Sequence, residues 1–166
     1  MMSENEITTL SQAVRDKLDQ WLLRYPPDKK RSGVFEALRL VQEENQGFLT
    51  LALMDAVAAY LELPKIAVYE VATFYTMYSL DPVGKHVINL CTNISCCLNG
   101  SDKILAHLKK RLGIDVNETT KDGSFTLKEV ECLGACVAAP VCNIGKQYHV
   151  NLTPEKMDEI INALSS

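Results

Sequence analysis

The chain has 166 residues, 47% of them apolar and 23% charged, with a formal net charge of −4. That balance suits a soluble globular protein, and the mild negative charge argues against a general nucleic-acid binder. No apolar run approaches the roughly 18–20 residues of a membrane span, and MMSENEITTL lacks the basic-then-apolar pattern of an export signal, so a reducing compartment is expected for the six cysteines.

Residues 7 to 25 read as an amphipathic helix, because Ile7, Leu10, Val14, Leu18, Trp21 and Leu22 recur at three- and four-residue steps. Pro26 and Pro27 are expected to end it, since neither supplies a backbone N–H. The basic run Lys29, Lys30, Arg31 opens a second helix with Phe35, Leu38 and Val41 as its buried stripe and Gly47 as its cap. A solvated helix start is the preferred reading of that charge run, with docking of an acidic partner as the alternative. Thr50 is expected to cap a third helix that buries Met54, Val57, Ala58 and Leu61. Pro64 opens a fourth, predicted to carry Val68, Val71, Phe74, Tyr75 and Tyr78 up to Asp81. Aromatics at helical spacing are more often core than cofactor or partner surface, so Phe74, Tyr75 and Tyr78 are expected inside. Residues 1–82 therefore form a helical bundle, with no nucleophile–base pair and no phosphate loop in it.

The pattern changes after Asp81-Pro82, and residues 83–166 read as a second domain. HVINLC (86 to 91) is a short, β-branched strand, followed by the loop TNISCCLNG. A helix is predicted over 101–112, with Ser101 as cap, Ile104, Leu105, Leu108 and Leu112 as apolar face and Gly113 as terminator. FTLKEVEC reads as an alternating strand, CLGACVAAP as a loop of small residues, and VCNIG with QYHVN as a hairpin. Thr153-Pro154-Glu155 starts a last helix buried by Met157, Ile160, Ile161 and Leu164. The order β, α, β, β, β, α suggests a mixed sheet flanked by helices, similar to a thioredoxin-like domain. The fold class is thus α+β in two domains.

The chemistry is carried by two cysteine pairs. Cys91 and Cys96 are separated by four residues, Cys132 and Cys136 by three, and each pair follows a predicted strand. If those strands run parallel, the four sulfurs emerge at one sheet edge. Structural zinc uses pairs of two to four intervening residues, and disulfide relays favour Cys-x-x-Cys. A 2Fe–2S cluster takes four thiolates around two irons and tolerates wider spacing. The spacing favours the cluster and leaves zinc and disulfide chemistry open. The 101–112 helix is expected to aim its positive end at the first pair, and Gly134 and Ala135 are the expected backbone donors to sulfur. Cys97 and Cys142 read as non-ligands, Cys142 as a small buried hydrophobe. His86 and His149 lack the Cys-x-His spacing that would let them replace thiolates, and His107 is expected in solvent.

YEVATFYTMY (69 to 78), the Cys91–Cys96 loop with its following helix, and VECLGACVAAP (130 to 140) together resemble the 2Fe–2S subunit of the NADH dehydrogenase module of respiratory complex I, its E subunit. The resemblance runs from about Trp21 to Leu164. It implies an N-terminal helical bundle followed by a thioredoxin-like 2Fe–2S ferredoxin domain. It also implies one 2Fe–2S cluster held by Cys91, Cys96, Cys132 and Cys136, taking an electron from FMN. NADH and FMN would bind the flavoprotein partner, the F subunit of the same complex, since no G-x-G-x-x-G occurs here. The family's setting is a proton-translocating NADH:quinone oxidoreductase. The chain would have no catalytic residue of its own, other peripheral-arm subunits as neighbours, and no direct membrane insertion. Its place would be the cytoplasmic face of a bacterial inner membrane, or the matrix side in a mitochondrion. Cys97 departs from the family, which usually has histidine or methionine there, and Glu70 stands where many bacterial members have glycine. The alternatives are the equivalent subunit of an NAD-dependent hydrogenase or formate dehydrogenase diaphorase, and a zinc-stabilised thioredoxin-like interaction module.

Overall fold

The structure is a computed structural model that describes residues 9 to 165. The chain divides into two compact units between Pro82 and Val83.

The first unit holds α1 (Gln12–Leu22), a 3-10 turn (Lys30–Gly33), α2 (Val34–Glu44), α3 (Leu51–Leu61) and α4 (Lys65–Phe74). Ser11 caps α1 by accepting from the Val14 N–H, so the helix starts later than the periodicity suggests; Ile7 lies outside the described residues. Leu10, Val14 and Leu18 join Leu38, Val41, Val57, Leu61 and Val68 in one core. Thr50 caps α3 as expected, and Met54, Val57, Ala58 and Leu61 are buried. In α2 Val34, Ala37, Leu38 and Val41 are buried on an i, i+3, i+4, i+7 stripe, with Leu40 buried beside it. Phe35 sits about 100° round the helix from Val34 and is exposed, which corrects its placement in the stripe. Lys30 and Arg31 pair with Glu62 and Glu70 of the same unit, and exposed pairs of this kind contribute little.

The fourth helix ends at Phe74 and does not reach Tyr78. Tyr75 turns to extended backbone, and tertiary hydrogen bonds take over the segment beyond it. Gln42 donates to the Met77 carbonyl at 3.1 Å and accepts from the Ser79 N–H at 2.7 Å, and the Leu49 N–H donates to the Ser79 carbonyl at 2.7 Å. Tyr78 is buried, and its hydroxyl donates to the Phe35 carbonyl at 2.9 Å. Phe74 and Tyr75 are exposed, so only one of the three aromatics is core.

The second unit holds β1 (His86–Cys91), α5 (Ile94–Leu98), α6 (Ser101–Leu112), β2 (Phe125–Val130), a 3-10 turn (Cys136–Ala138), β3 (Cys142–Ile144), β4 (Gln147–His149) and α7 (Pro154–Leu164). The sheet order is β2-β1-β3-β4: β1 and β2 are parallel, and β3 runs antiparallel to β1 and to β4. Ile88 and Leu90 of β1 pack with Phe125 and Leu127 of β2, Ile104 and Leu108 of α6, and Met157 and Ile161 of α7. This is the mixed α+β thioredoxin-like arrangement that the element order suggests. Thr153 caps α7 through the Lys156 N–H, and Pro154 opens it.

Three details differ from expectation. The 92–100 loop contains α5, a five-residue helix that Asn93 caps by accepting from the Ile94 N–H at 2.9 Å. Ser101 does not cap α6: Gly100, at φ 91°, holds the cap position, and the buried Ser101 hydroxyl has no hydrogen-bond partner. His107 is only partly exposed, and its Nε2 lies 2.9 Å from Asp158 Oδ1 on α7.

Candidate metal centre

Parallel pairing of β1 with β2 in the register Cys91 with Val130 brings both strand ends to one edge. Loops leaving the carboxyl ends of neighbouring parallel strands are where α/β folds place their chemistry. Cys91 closes β1, and its N–H donates to the Val141 carbonyl at 3.0 Å. Cys96 lies within α5, and Cys91, Cys96 and Val141 form a small buried cluster with Leu133, Ala135, Ala139 and Val150 around it. Cys132 lies two residues beyond β2, and Cys136 opens the 3-10 turn; both are exposed. Asn93 Nδ2 donates to Glu131 Oε2 at 2.9 Å, so the two cysteine-bearing loops are tied together.

The structure brings all four cysteines to this edge. Cys132 and Cys136 Sγ are 3.6 Å apart, too far for a disulfide of about 2.05 Å. Two thiolates on one tetrahedral metal, with bonds of about 2.3 Å, would lie about 3.8 Å apart. The Cys96 thiol feels both Cys91 and Cys136, which links the two pairs. Among the described residues no three His, Cys, Asp or Glu side chains close on one point for a single ion; the thiols form two adjacent pairs. A donor set of four sulfurs suits a soft, thiophilic group such as an iron–sulfur cluster.

Burial, and then the hydrogen bond to Cys91, push the Cys96 thiol up; the Val141 backbone opposes them. Thiols crowded in an apolar corner cannot all ionise unless a cation replaces their protons, so loading a metal and deprotonating the site are one event. The Gly134 N–H donates to Cys132 Sγ at 3.4 Å from a backbone at φ 78°, a conformation glycine adopts without strain. Gly134 is thus one of the two expected donors, whereas Ala135 packs against the buried cluster of Cys91, Cys96 and Val141. The Val141 amide on Cys96 was not legible, because it depends on the pairing of β1 with the segment entering β3. A short helix, α5, stands in the chain between Cys91 and α6 and carries Cys96 in its own body.

The remaining candidates are elsewhere. Cys97 is exposed while its neighbour Cys96 is buried, as adjacent side chains on a helix diverge. Cys142 sits in the sheet core, 4.0 Å from Met157 Sδ, and burial pushes its thiol up to about 12. His86 begins β1, the strand end opposite Cys91, and its Nε2 is buried without a partner. His149 lies in β4, its imidazole held below the ordinary range first by burial and then by Lys156.

A profile of the family described as thioredoxin-like 2Fe-2S ferredoxin matches residues 18–165. The E subunit of NADH-quinone oxidoreductase from Rickettsia bellii is 51% identical over 141 residues, covering 85% of this chain and 84% of the relative. The E subunit numbered 2 of the same-named enzyme from Rhizobium meliloti is 42% identical over 150 residues, covering 90% and 88%. Among solved structures, NAD+-reducing NiFe hydrogenase in the H2-reduced state aligns at a TM-score of 0.66 with 17% identity. That alignment covers 78% of this chain and 22% of the hydrogenase chain, and it shows a shared fold.

Proposed function

Because the chain belongs to the thioredoxin-like 2Fe–2S ferredoxin family, we propose that it is the electron-transfer subunit of an NADH:quinone oxidoreductase and that Cys91, Cys96, Cys132 and Cys136 are its cluster ligands. The observation that carries this reading is the pair of thiol pairs at the ends of two parallel strands, one pair at a metal-bite separation of 3.6 Å. Bound there, a 2Fe–2S cluster supplies one-electron chemistry, with the FMN of the flavin- and NADH-binding F subunit as the donor.

The chain's own residues do the rest. Cys91 and Cys96 hold their sulfurs in an apolar corner that keeps water out, and Cys132 and Cys136 hold theirs at the surface. The Gly134 and Val141 amides place positive dipoles against sulfur, which raises the potential of any cluster held there. NADH and FMN belong to the flavoprotein partner, as the chain has no glycine-rich nucleotide loop. Among the described residues no helix is long and apolar enough to cross a membrane, which fits a peripheral-arm position. We place that arm on the cytoplasmic face of a bacterial inner membrane, or the matrix side of a mitochondrion, within a proton-translocating complex.

An equivalent place in a hydrogenase diaphorase is the second reading, supported by fold alone, whereas the quinone-oxidoreductase relatives share about half of the sequence. An affinity tag on this chain separates the two. Solubilised from membranes, the tagged chain should bring down a complex that contains FMN and reduces quinone with NADH. Recovery of a soluble, nickel-containing diaphorase, or of the chain with no flavoprotein attached, refutes the proposal.

A further inference from the structure

The four thiols of the centre are not equally open to solution. Cys91 and Cys96 are each 2% exposed, with Leu133, Ala135, Ala139 and Val150 packed against them. Cys132 and Cys136 are exposed, and they stand on one turn beyond the end of β2 at Val130. Leu133 and Ala135 of that turn pack inward, which leaves the alternate residues Cys132, Gly134 and Cys136 outward. The two outer sulfurs lie 3.6 Å apart. Gly134 between them, at φ 78°, has open space where a Cβ would stand, so the turn has room to move.

A thiolate attacks a disulfide sulfur, so oxidation by a small disulfide needs access first and a second thiol within reach next. The outer pair meets both needs, and burial denies the inner pair the first. We infer that Cys132 and Cys136 of the cluster-free chain form a reversible thiol–disulfide site, whose reactant is a small soluble disulfide RSSR of the glutathione class. One outer thiolate attacks RSSR, forms a mixed disulfide and releases the first RS⁻. The other attacks the protein sulfur of that mixed disulfide and releases the second. The two protons leave with the two RSH; the chain loses two electrons and RSSR gains them. The 3.6 Å gap exceeds a disulfide bond by about 1.5 Å, which small rotations about the two Cα–Cβ bonds close. The consequence for the centre rests on the function proposed above. With the outer pair tied, two of the four ligands are withheld, so only the reduced chain accepts a cluster. A bound cluster occupies the same thiolates, so the loaded chain does not react.

The test uses the full chain, purified without oxygen, stripped of metal and fully reduced. Oxidised glutathione is added, and the products are followed by intact mass and peptide mapping. The first bond within the chain should join Cys132 to Cys136, leaving the chain two hydrogens lighter. Cys91 and Cys96 should react at least about tenfold more slowly, because access limits them. Cys97→Ser should close the same bond at an unchanged rate. Cluster is then offered from a 2Fe–2S-loaded scaffold protein without added thiol. The oxidised chain should take up at least about tenfold less iron and sulfide than the reduced one, and dithiothreitol should restore uptake. The chain loaded beforehand should keep its mass in oxidised glutathione. A first bond to Cys97, slowing in Cys97→Ser, lasting mixed disulfides on the outer pair, or equal reactivity of the inner pair would each overturn the inference. So would full cluster uptake by the oxidised chain. A reduced chain that takes up no iron and sulfide would instead overturn the proposed function, and the mapped disulfide is read independently of that outcome.

Discussion

Asn93 is expected to hold the centre's geometry although it donates no ligand. Its Oδ1 accepts from the first N–H of α5, and its Nδ2 donates to Glu131 on the opposite loop. Asn93→Ala removes both. Loss of a helix cap costs about 0.5–2 kcal/mol, and the low end applies here because only the Ile94 N–H is satisfied. Loss of an exposed bond to a carboxylate adds about 0.5–1 kcal/mol after discounting for solvent. The sum is about 1–1.5 kcal/mol, measured by urea denaturation of the cluster-free chain. Asn93→Asp keeps the cap, loses the donor and sets a negative charge beside Glu131, so it should fall between wild type and Asn93→Ala. The double-mutant cycle with Glu131→Ala should give a coupling of about 0.5 kcal/mol or more. In the loaded protein, Asn93→Ala should also speed cluster loss to a chelator, since α5 carries Cys96. An unchanged midpoint in Asn93→Ala with no coupling to Glu131 would show that the tie between the loops does not hold α5.

Replacing Cys91, Cys96, Cys132 or Cys136 by Ala should abolish or grossly alter the EPR signal of the dithionite-reduced protein, while Cys97→Ala and Cys142→Ala leave it nearly unchanged. Cys142→Ala should instead cost about 1–2 kcal/mol of stability by urea titration, because its sulfur is fully buried against Met157. Leu108→Ala, which empties the contact between α6 and the sheet, should cost about 3 kcal/mol in the same assay. Hydrogen bonds from Thr120 and from the Ser124 backbone and side chain hold the Asp122 carboxyl down at about 2 from an ordinary 3.8. A depressed folded-state value contributes stability above the unfolded value and loses it as the carboxylate protonates. The wild type should therefore lose stability between about pH 4 and pH 2, and Asp122→Asn should flatten that part of the acid titration.

Much of the fold was legible because local chemistry and tertiary structure agree. Thr50 and Thr153 cap the helices their sequences announce, and the cysteine pairs follow strands whose β-branched runs have no competing reading. What was not legible depended on contacts between distant residues. Helix α4 has the periodicity to continue past Phe74, but Gln42 and Leu49 claim the backbone of Met77 and Ser79. Phe35 has a core residue's chemistry and the wrong phase, because a 3-10 turn precedes α2 and sets the rotation of its stripe. Helix α5 is too short for a periodic signal, and Asn93 was its one marker. At the centre, spacing paired the thiols and parallel strands place them together, whereas the Val141 amide on Cys96 comes from the segment entering β3, more than forty residues away.

Metal and sulfide analysis of the chain purified without oxygen tests the central claim most directly. A reddish-brown protein with about two irons and two acid-labile sulfides per chain is the expected result. One zinc per chain with no acid-labile sulfide would contradict it.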